Sequence, residues 1–302
     1  MKGVVLAGGL GKRLEPLTRI TNKHLLPVYN KPMIYYPLET LVEAGITDIM
    51  LVTGGNNAGD FLRLLGNGGE FGAQLHYTYQ RGEGGIAEAL SLAEHFAGGE
   101  KVIVLLGDNV IEKSIKAYVK KFDAQARGAR LLLTDVDTPE LFGVADIRDG
   151  KLINIIEKPA HPASKLVVTG VYMYDAQVFE IIKTLKPSGR GELEITDVNN
   201  AYIRRGEMTY DILEGWWTDA GLPETLYRAA TLVREHVLSR ASSARPTDLV
   251  TPYWMQWVHE TAGDGRGGLP WGAIHPAMAG TPSRRPGDRL RSAHLRRVDG
   301  SS

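Results

Sequence analysis

Five short runs rich in β-branched and aliphatic residues, at residues 3–7, 49–53, 75–79, 102–106 and 131–136, alternate with stretches of helical apolar period at residues 33–44, 60–65, 86–96 and 115–126. Neighbouring parallel strands need a long crossover, and a helix-length segment between each pair supplies one. The alternation therefore predicts an α/β fold on a mostly parallel central sheet. From residue 143 the rhythm changes to strand after strand. Asp149-Gly150 is a type I′ hairpin signal joining residues 144–148 to 151–157. A β-rich portion is thus expected after the doubly wound one, before helical period returns at residues 176–185, 195–204 and 224–237.

The chain changes character after residue 237. Residues 240–302 hold nine arginines, no lysine and five acids, together with six of the 15 prolines, and show no sustained period. Two regions are expected: a folded body over residues 1–237 and a poorly structured Arg/Pro/Gly-rich tail over residues 238–302. A chain ending near Val237 should then keep its fold, unless Trp254, Trp257 and Trp271 dock the tail onto the body. The whole sequence balances 35 Lys and Arg against 35 Asp and Glu, so no net field draws it to nucleic acid. Its longest apolar runs, such as residues 102–106, fall far short of the roughly 20 residues that span a bilayer. The first residues lack a signal-peptide core, so a cytoplasmic location is expected, with no membrane partner. The absence of cysteine excludes disulfides, thiolate metal sites and a cysteine nucleophile, and leaves oxygen or imidazole for any metal.

Directly after the first strand comes Gly8-Gly9-Leu10-Gly11-Lys12-Arg13-Leu14, at the place where an open α/β sheet usually receives its ligand. It is either a tight turn or a nest of backbone N–H groups beside two cations, for which phosphate is the natural guest. Leu14 stands where a dinucleotide fingerprint needs a third glycine, and Arg13 where a Walker A loop needs Ser or Thr, so both of those readings fail. Asp108, just beyond the strand at residues 102–106, is a helix-cap or turn residue or else a ligand for a hard cation. Asp219 is a second such carboxylate, with the same turn-residue alternative. Two distant carboxylates are enough for one Mg²⁺, which fills its shell with water and substrate phosphates. Lys158, with Glu157 beside it and Pro159 ending the strand, suits a fixed pair offering a cation and an acceptor to a sugar phosphate. No histidine has ligand spacing, and only His24 lies inside a candidate motif.

The order of these motifs resembles the sugar-1-phosphate nucleotidyltransferases, most closely those that transfer thymidylyl to glucose 1-phosphate. The resemblance rests on residues 6–14, Lys23-His24-Leu25-Leu26-Pro27 and its continuation to Pro37, Gln80 with Gly85-Ile86-Ala87-Glu88-Ala89, residues 107–109, Glu157-Lys158-Pro159, Val168-Thr169-Gly170, residues 189–199 and residues 217–221, and it covers residues 1 to about 237. It implies a Rossmann-like nucleotidyltransferase fold with a β-rich sugar-binding portion. It also implies an Mg²⁺-dependent, in-line reaction of dTTP with glucose 1-phosphate that gives dTDP-glucose and pyrophosphate. Carried over by motif, Gly8, Gly9, Gly11 and Arg13 would hold the triphosphate with Lys23, and Gln80 and Gly85 would read the thymine edge. Asp108 and Asp219 would hold the metal. Lys158 would grip the sugar phosphate, while Asn109, Gly143, Glu157 and Val168 would position the sugar and its phosphate. Arg13, Lys23, Asp108 and Lys158 would form the catalytic set.

This sequence departs from the longer relatives at several points. His24 and Glu88 stand where many of them have glutamine, and Ala220 where they have threonine. The tail does not match the helices that carry their subunit contact and regulatory site, which leaves self-association and feedback open. The competing readings are the same reaction with UTP or another nucleotide, a catalytically silent nucleotide-sugar sensor, and, further off, a dehydrogenase. The metal carboxylates, Arg13 and Lys158 are all present, which speaks against the sensor.

Overall fold

The structure, a computed structural model, describes residues 1–243. Residues 244–302, including Trp254, Trp257 and Trp271 of the expected tail, lie outside the described residues.

The chain opens with strand β1 (Lys2–Ala7), the small hairpin β2 (Pro27–Val28) and β3 (Lys31–Pro32), and helix α1 (Tyr35–Glu43). Then follow β4 (Asp48–Gly54), α2 (Ala58–Leu65), β5 (Gln74–Gln80), α3 (Ile86–Ser91), α4 (Glu94–Ala97), β6 (Val102–Leu106), β7 (Asn109–Ile111) and α5 (Lys116–Ala124). The second half contains β8 (Ala129–Asp135), β9 (Gly143–Arg148), β10 (Lys151–Glu157), β11 (Leu166–Tyr174), α6 (Gln177–Lys183), α7 (Ile195–Arg204), β12 (Met208–Ile212), β13 (Trp217–Asp219) and α8 (Pro223–Ser243).

Nine strands form one sheet, with the path β10-β9-β11-β6-β1-β4-β5 and with β8 joining β11 to β12. β6, β1, β4 and β5 pair in parallel, as do β8 and β12. β11 runs antiparallel to β6, β8 and β9, and β10 antiparallel to β9. All strands of this sheet except β10 and β11 therefore point the same way. The β-rich portion anticipated from residue 143 is not a separate layer: β9, β10 and β11 extend the same sheet past β6. The hairpin between β9 and β10 turns on Asp149 and Gly150, both with positive φ, at 49° and 72°, as a type I′ turn requires.

Alternation along β1 sends Val4 and Leu6 to one face and Val5 and Ala7 to the other, all buried. The first face packs against α3, α6 and α7 through Leu90, Val178 and Tyr202. The second packs against α1, α2 and α5 through Leu38, Phe61 and Phe122. Both faces are covered, which is why the central strands read as near-continuous apolar runs. The helical period over residues 86–96 is realised as two pieces. Ala93 N–H donates to Leu90 O at 2.9 Å, a tight turn that separates α3 from α4 while Ala87, Leu90, Ala93 and Ala97 still line one buried cluster. The last helix is longer than expected. α8 continues to Ser243, six residues into the anticipated tail, and is anchored by Ala229 and Val233 against Val28, Met33, Tyr36, Val110 and Ala220. Among the described residues no helix is long and apolar enough to cross a membrane.

Leu131 lies in the middle of β8, fully buried and opposite both Tyr172 and Tyr210. Leu131→Ala should destabilise the fold by about 2–5 kcal/mol through lost burial and the cavity left behind. The check is urea denaturation: the midpoint should fall with an unchanged slope, and an unmoved midpoint would contradict the packing described.

Candidate active site

The carboxyl ends of β1, β5 and β6 converge on a cleft of about 620 Å³ whose other wall comes from β10, β11 and the segment before α7. One wall carries Gly8, Gly9, Gly11, Arg13, Lys23, Gln80 and Gly85. Asp108, Asn109 and Asp219 lie at its floor, and Gly143, Glu157, Lys158 and Val168 form the opposite side. Every residue given a role in binding or catalysis from the sequence thus borders a single space.

The glycine-rich turn is shaped by where its chain must pass. Gly11 adopts φ 69°, and a Cβ there would lie 3.0 Å from the side chains of both Lys23 and Thr18. Its carbonyl accepts from Leu14 N–H at 2.9 Å and from the Thr18 hydroxyl at 2.9 Å. The N–H groups of Gly9, Leu10 and Gly11 have no acceptor among the described residues, an arrangement suited to an anion. Lys12 reaches across the mouth to Glu83 at 2.7 Å.

Asp108 is only 7 % exposed. Lys23 Nζ stands 2.5 Å from its Oδ2, and Asn109 Nδ2 donates to its Oδ1 at 3.1 Å. Burial alone would push this carboxyl up, but the Lys23 charge and the two hydrogen bonds override it and hold it well below the usual carboxylate range. Asn109 is itself braced: its Oδ1 accepts from Trp217 Nε1 at 2.6 Å and from Gly170 N–H at 2.9 Å. That leaves one amide hydrogen for a ligand. Gly170 sits in a β-bulge of β11 between Val168 and Tyr172, and only a residue without Cβ fits against the Asn109 amide there.

Asp219, at the end of β13 and opposite Asn109 across the ladder to β7, points its carboxylate at the same place. A Cβ at Gly221 would lie 3.2 Å from Asp219 Oδ2, 3.6 Å from Asp108 Oδ2 and 3.3 Å from Arg13 Nη2. The glycine thus leaves open a small cradle faced by two carboxylates and a guanidinium. Burial and the neighbouring Asp108 charge push Asp219 up to about 6, against the pull of Lys23 and Arg13. Among the described residues no group of three or more acidic or imidazole side chains is arranged to hold a metal ion, so a cation held here would rest on this pair.

On the far wall, Lys158 adopts φ 44° directly after β10, and its N–H donates to Phe142 O at 2.9 Å. A lysine in the left-handed region is strained, and here that turn brings Nζ to 3.5 Å from Glu157 Oε1. Glu157 Oε2 accepts from the Thr196 hydroxyl at 2.6 Å. Sequence reasoning assigned no role to Arg190, although its segment belongs to the matched residues. Its guanidinium lies 2.8 Å from Glu194 and 3.7 Å from Glu157, and it borders the cleft. The arginine followed by three acids at 192, 194 and 197 was the available signal. Also missed was the pairing of Asn22 with His24. Asn22 Oδ1 accepts from His24 N–H at 3.0 Å and faces His24 Nδ1 at 2.7 Å, so Nδ1 carries the proton. Burial and the Lys23 charge lower His24 to about 3, which keeps the ring neutral.

A sequence model of the nucleotidyl transferase family matches residues 2–236. The glucose-1-phosphate thymidylyltransferase of Neisseria meningitidis serogroup A is 44 % identical over 238 residues, 78 % of this chain and 83 % of that protein. Among solved structures, a Bacillus anthracis protein assigned provisionally as a glucose-1-phosphate thymidylyltransferase, crystallised with sucrose, is 53 % identical with a TM-score of 0.75, over 78 % of this chain and 96 % of that one. A UDP-glucose pyrophosphorylase in complex with UDP-glucose is 25 % identical with a TM-score of 0.68, over 78 % of this chain and 98 % of that one.

Asp219 binds its proton more tightly in the folded chain than at the ordinary 3.8 of an aspartate. The stabilisation this provides is complete below about pH 4 and is lost as pH rises through about 6. Asp219→Asn removes the titration. Without divalent cations, the variant should therefore gain melting temperature relative to the parent between about pH 4 and 7. A parent-to-variant difference that stays flat across that range would contradict the environment described.

Proposed function

This chain belongs to the nucleotidyl transferase family, and from that premise we propose that it transfers thymidylyl from dTTP to glucose 1-phosphate, releasing dTDP-glucose and pyrophosphate. The observation that carries the reading is the facing of two charged walls across one cleft. The glycine turn with Arg13 and Lys23 stands on one side, Lys158 and Arg190 on the other, and the Asp108–Asp219 pair between them. Such a site suits two anionic substrates that repel each other until cations surround them. The thymidylyl choice rests on the 44 % and 53 % identities to proteins of that name, against 25 % to the UDP-glucose pyrophosphorylase.

In the reaction a sugar-phosphate oxygen attacks the α-phosphorus in line, a new O–P bond forms, and the bond to the departing pyrophosphate breaks. The attacking oxygen is already ionised, so no side chain has to remove a proton or act as nucleophile. The turn at residues 8–13 binds the triphosphate through its free N–H groups, with Arg13 and Lys23 neutralising charge that builds on the leaving group. Gln80 and Gly85 flank the nucleobase. Lys158, with Arg190, holds the sugar phosphate on the opposite side, and Glu157, Gly143 and Val168 shape the sugar pocket. Asn109 acts mainly through Asp108, which it keeps in place.

Asp108 and Asp219 fit a hard divalent cation such as Mg²⁺: both offer oxygen, both face the cradle left by Gly221, and their mutual repulsion, visible in the raised Asp219, is relieved by a positive charge. When bound, Mg²⁺ supplies charge neutralisation for the phosphates. The catalytic unit is read as residues 1–243, since α8 packs through Leu226, Ala229 and Val233 against β2 and β7.

Pyrophosphate release with dTTP, UTP, GTP, ATP and CTP against several sugar 1-phosphates tests the reading. dTTP with glucose 1-phosphate should give the highest kcat/KM, and a clear preference for UTP would replace thymidylyl by uridylyl transfer. Asp108→Asn should fold yet lose about a hundredfold or more of turnover; near-parental turnover would remove Asp108 from the metal site. Lys158→Ala should lower kcat/KM for glucose 1-phosphate by about 10- to 150-fold, the equivalent of a charge-assisted contact, and leave the KM for dTTP nearly unchanged. Equal weakening of both substrates would place Lys158 outside the sugar-phosphate wall.

A further inference from the structure

Gln80 is buried at the end of β5, and both hydrogens of its side-chain amide are engaged within the protein. Nε2 donates to Gly85 O at 3.1 Å and to Glu88 Oε2 at 2.5 Å. An amide nitrogen has two hydrogens, so what remains for a ligand is the acceptor Oε1. That oxygen lies against Gly8, where a Cβ would come within 2.6 Å of it, and no donor among the described residues reaches it.

Glu88, together with Gly85 O, decides this orientation. Either end of a glutamine amide fits the same space, and the partners choose between them. Gly85 O and the Glu88 carboxylate are both acceptors, and a carboxylate that only accepts attracts Nε2 and repels Oε1. The first turn of α3 carries Glu88 inward, and its carboxylate packs over Gly84, where a side chain would collide with it. A glutamine at position 88 would weaken this discrimination, because it can present either a donor or an acceptor to Gln80 and leaves Gly85 O as the one partner that only accepts.

We propose that Glu88 is a positioning residue for nucleobase selection, locking Gln80 with its acceptor toward the base. The proposal rests on the reading that Gln80 flanks the base. A site with this outward acceptor takes a pyrimidine that carries N3–H, the imide of thymine or uracil. It rejects cytosine, whose N3 is itself an acceptor and would leave two lone pairs facing each other. Glu88 touches neither substrate; it acts through Gln80.

The test is the ratio of kcat/KM for dTTP to that for CTP, both with glucose 1-phosphate, in the parent and in Glu88→Gln, Glu88→Asp and Gln80→Ala. The parent should favour dTTP. Glu88→Gln should lose about tenfold of that preference, the worth of one oriented hydrogen bond, with the change in KM rather than kcat. Glu88→Asp, which still only accepts, should keep the preference even where overall affinity falls. A purely structural role would lower both substrates together and leave the ratio unmoved. If Gln80→Ala abolishes the preference while Glu88→Gln keeps it, or if Glu88→Asp loses it as fully as Glu88→Gln, the positioning role is overturned and Gln80 remains the base reader. If Gln80→Ala keeps the preference, or the parent has none, the reading of Gln80 falls and the proposal with it.

Discussion

A carboxylate removed from water is stable only if its surroundings supply what water did, and much of this structure is arranged around one such group. Asp108 stands at the carboxyl end of the central strand β6. Lys23, Asn109 and, through Asn109, Trp217 and Gly170 make up its surroundings. These partners come from the loop after β1, from β7, from β13 and from the bulge of β11. The hydrogen bond from Ala220 N–H to Asp108 O at 2.8 Å adds the start of the segment that leads into α8. One buried charge therefore ties together elements more than a hundred residues apart in sequence, and it does so at the point where the two walls of the cleft meet.

The same constraint explains where the chain has no room for side chains. At Gly107 a Cβ would sit 3.0 Å from Leu6 O and from His24 Nε2, and closer still, 2.7 Å, to His24 Cδ2. At Gly54 it would come 2.6 Å from Gly8 O. These glycines let the ends of β1, β4 and β6 close on the ring of His24 and on the glycine-rich turn. His24 can be packed there because it is neutral, and it is neutral because it is buried beside the Lys23 charge, while Asn22 fixes which ring nitrogen carries the proton. A charged ring would repel Lys23, which pairs with Asp108.

Local and periodic features were readable in the sequence. α7 runs over Ile195–Arg204 as the apolar period indicated, and Asp149-Gly150 makes the hairpin its turn chemistry requires. The candidate site was readable because motifs in order carry residue types whose chemistry is specific, and those residues do border one cleft. Partnerships between distant side chains were not readable. Nothing in the period of residues 22–24 says that Asn22 orients His24, and nothing near position 109 announces that its amide will meet Trp217. Strand order also lay beyond the pattern: β9 to β11 read as a separate β-rich portion because alternation reports which face is buried, not which edge a strand joins. Glu88 looked like a departure from the expected glutamine, and only its contact with Gln80 gives that departure a physical meaning.

In the proposed reaction the Asp108–Asp219 pair is a cation site placed between nucleotide and sugar phosphate. Anomalous diffraction from crystals of this chain grown with Mn²⁺ and dTDP-glucose measures it directly. One strong manganese peak is expected between the two carboxylates and in contact with the nucleotide phosphates, with Lys23 turned from Asp108 toward the phosphates. A bound nucleotide with manganese located elsewhere, or with Lys23 still closed on Asp108 and no metal beside it, would contradict it.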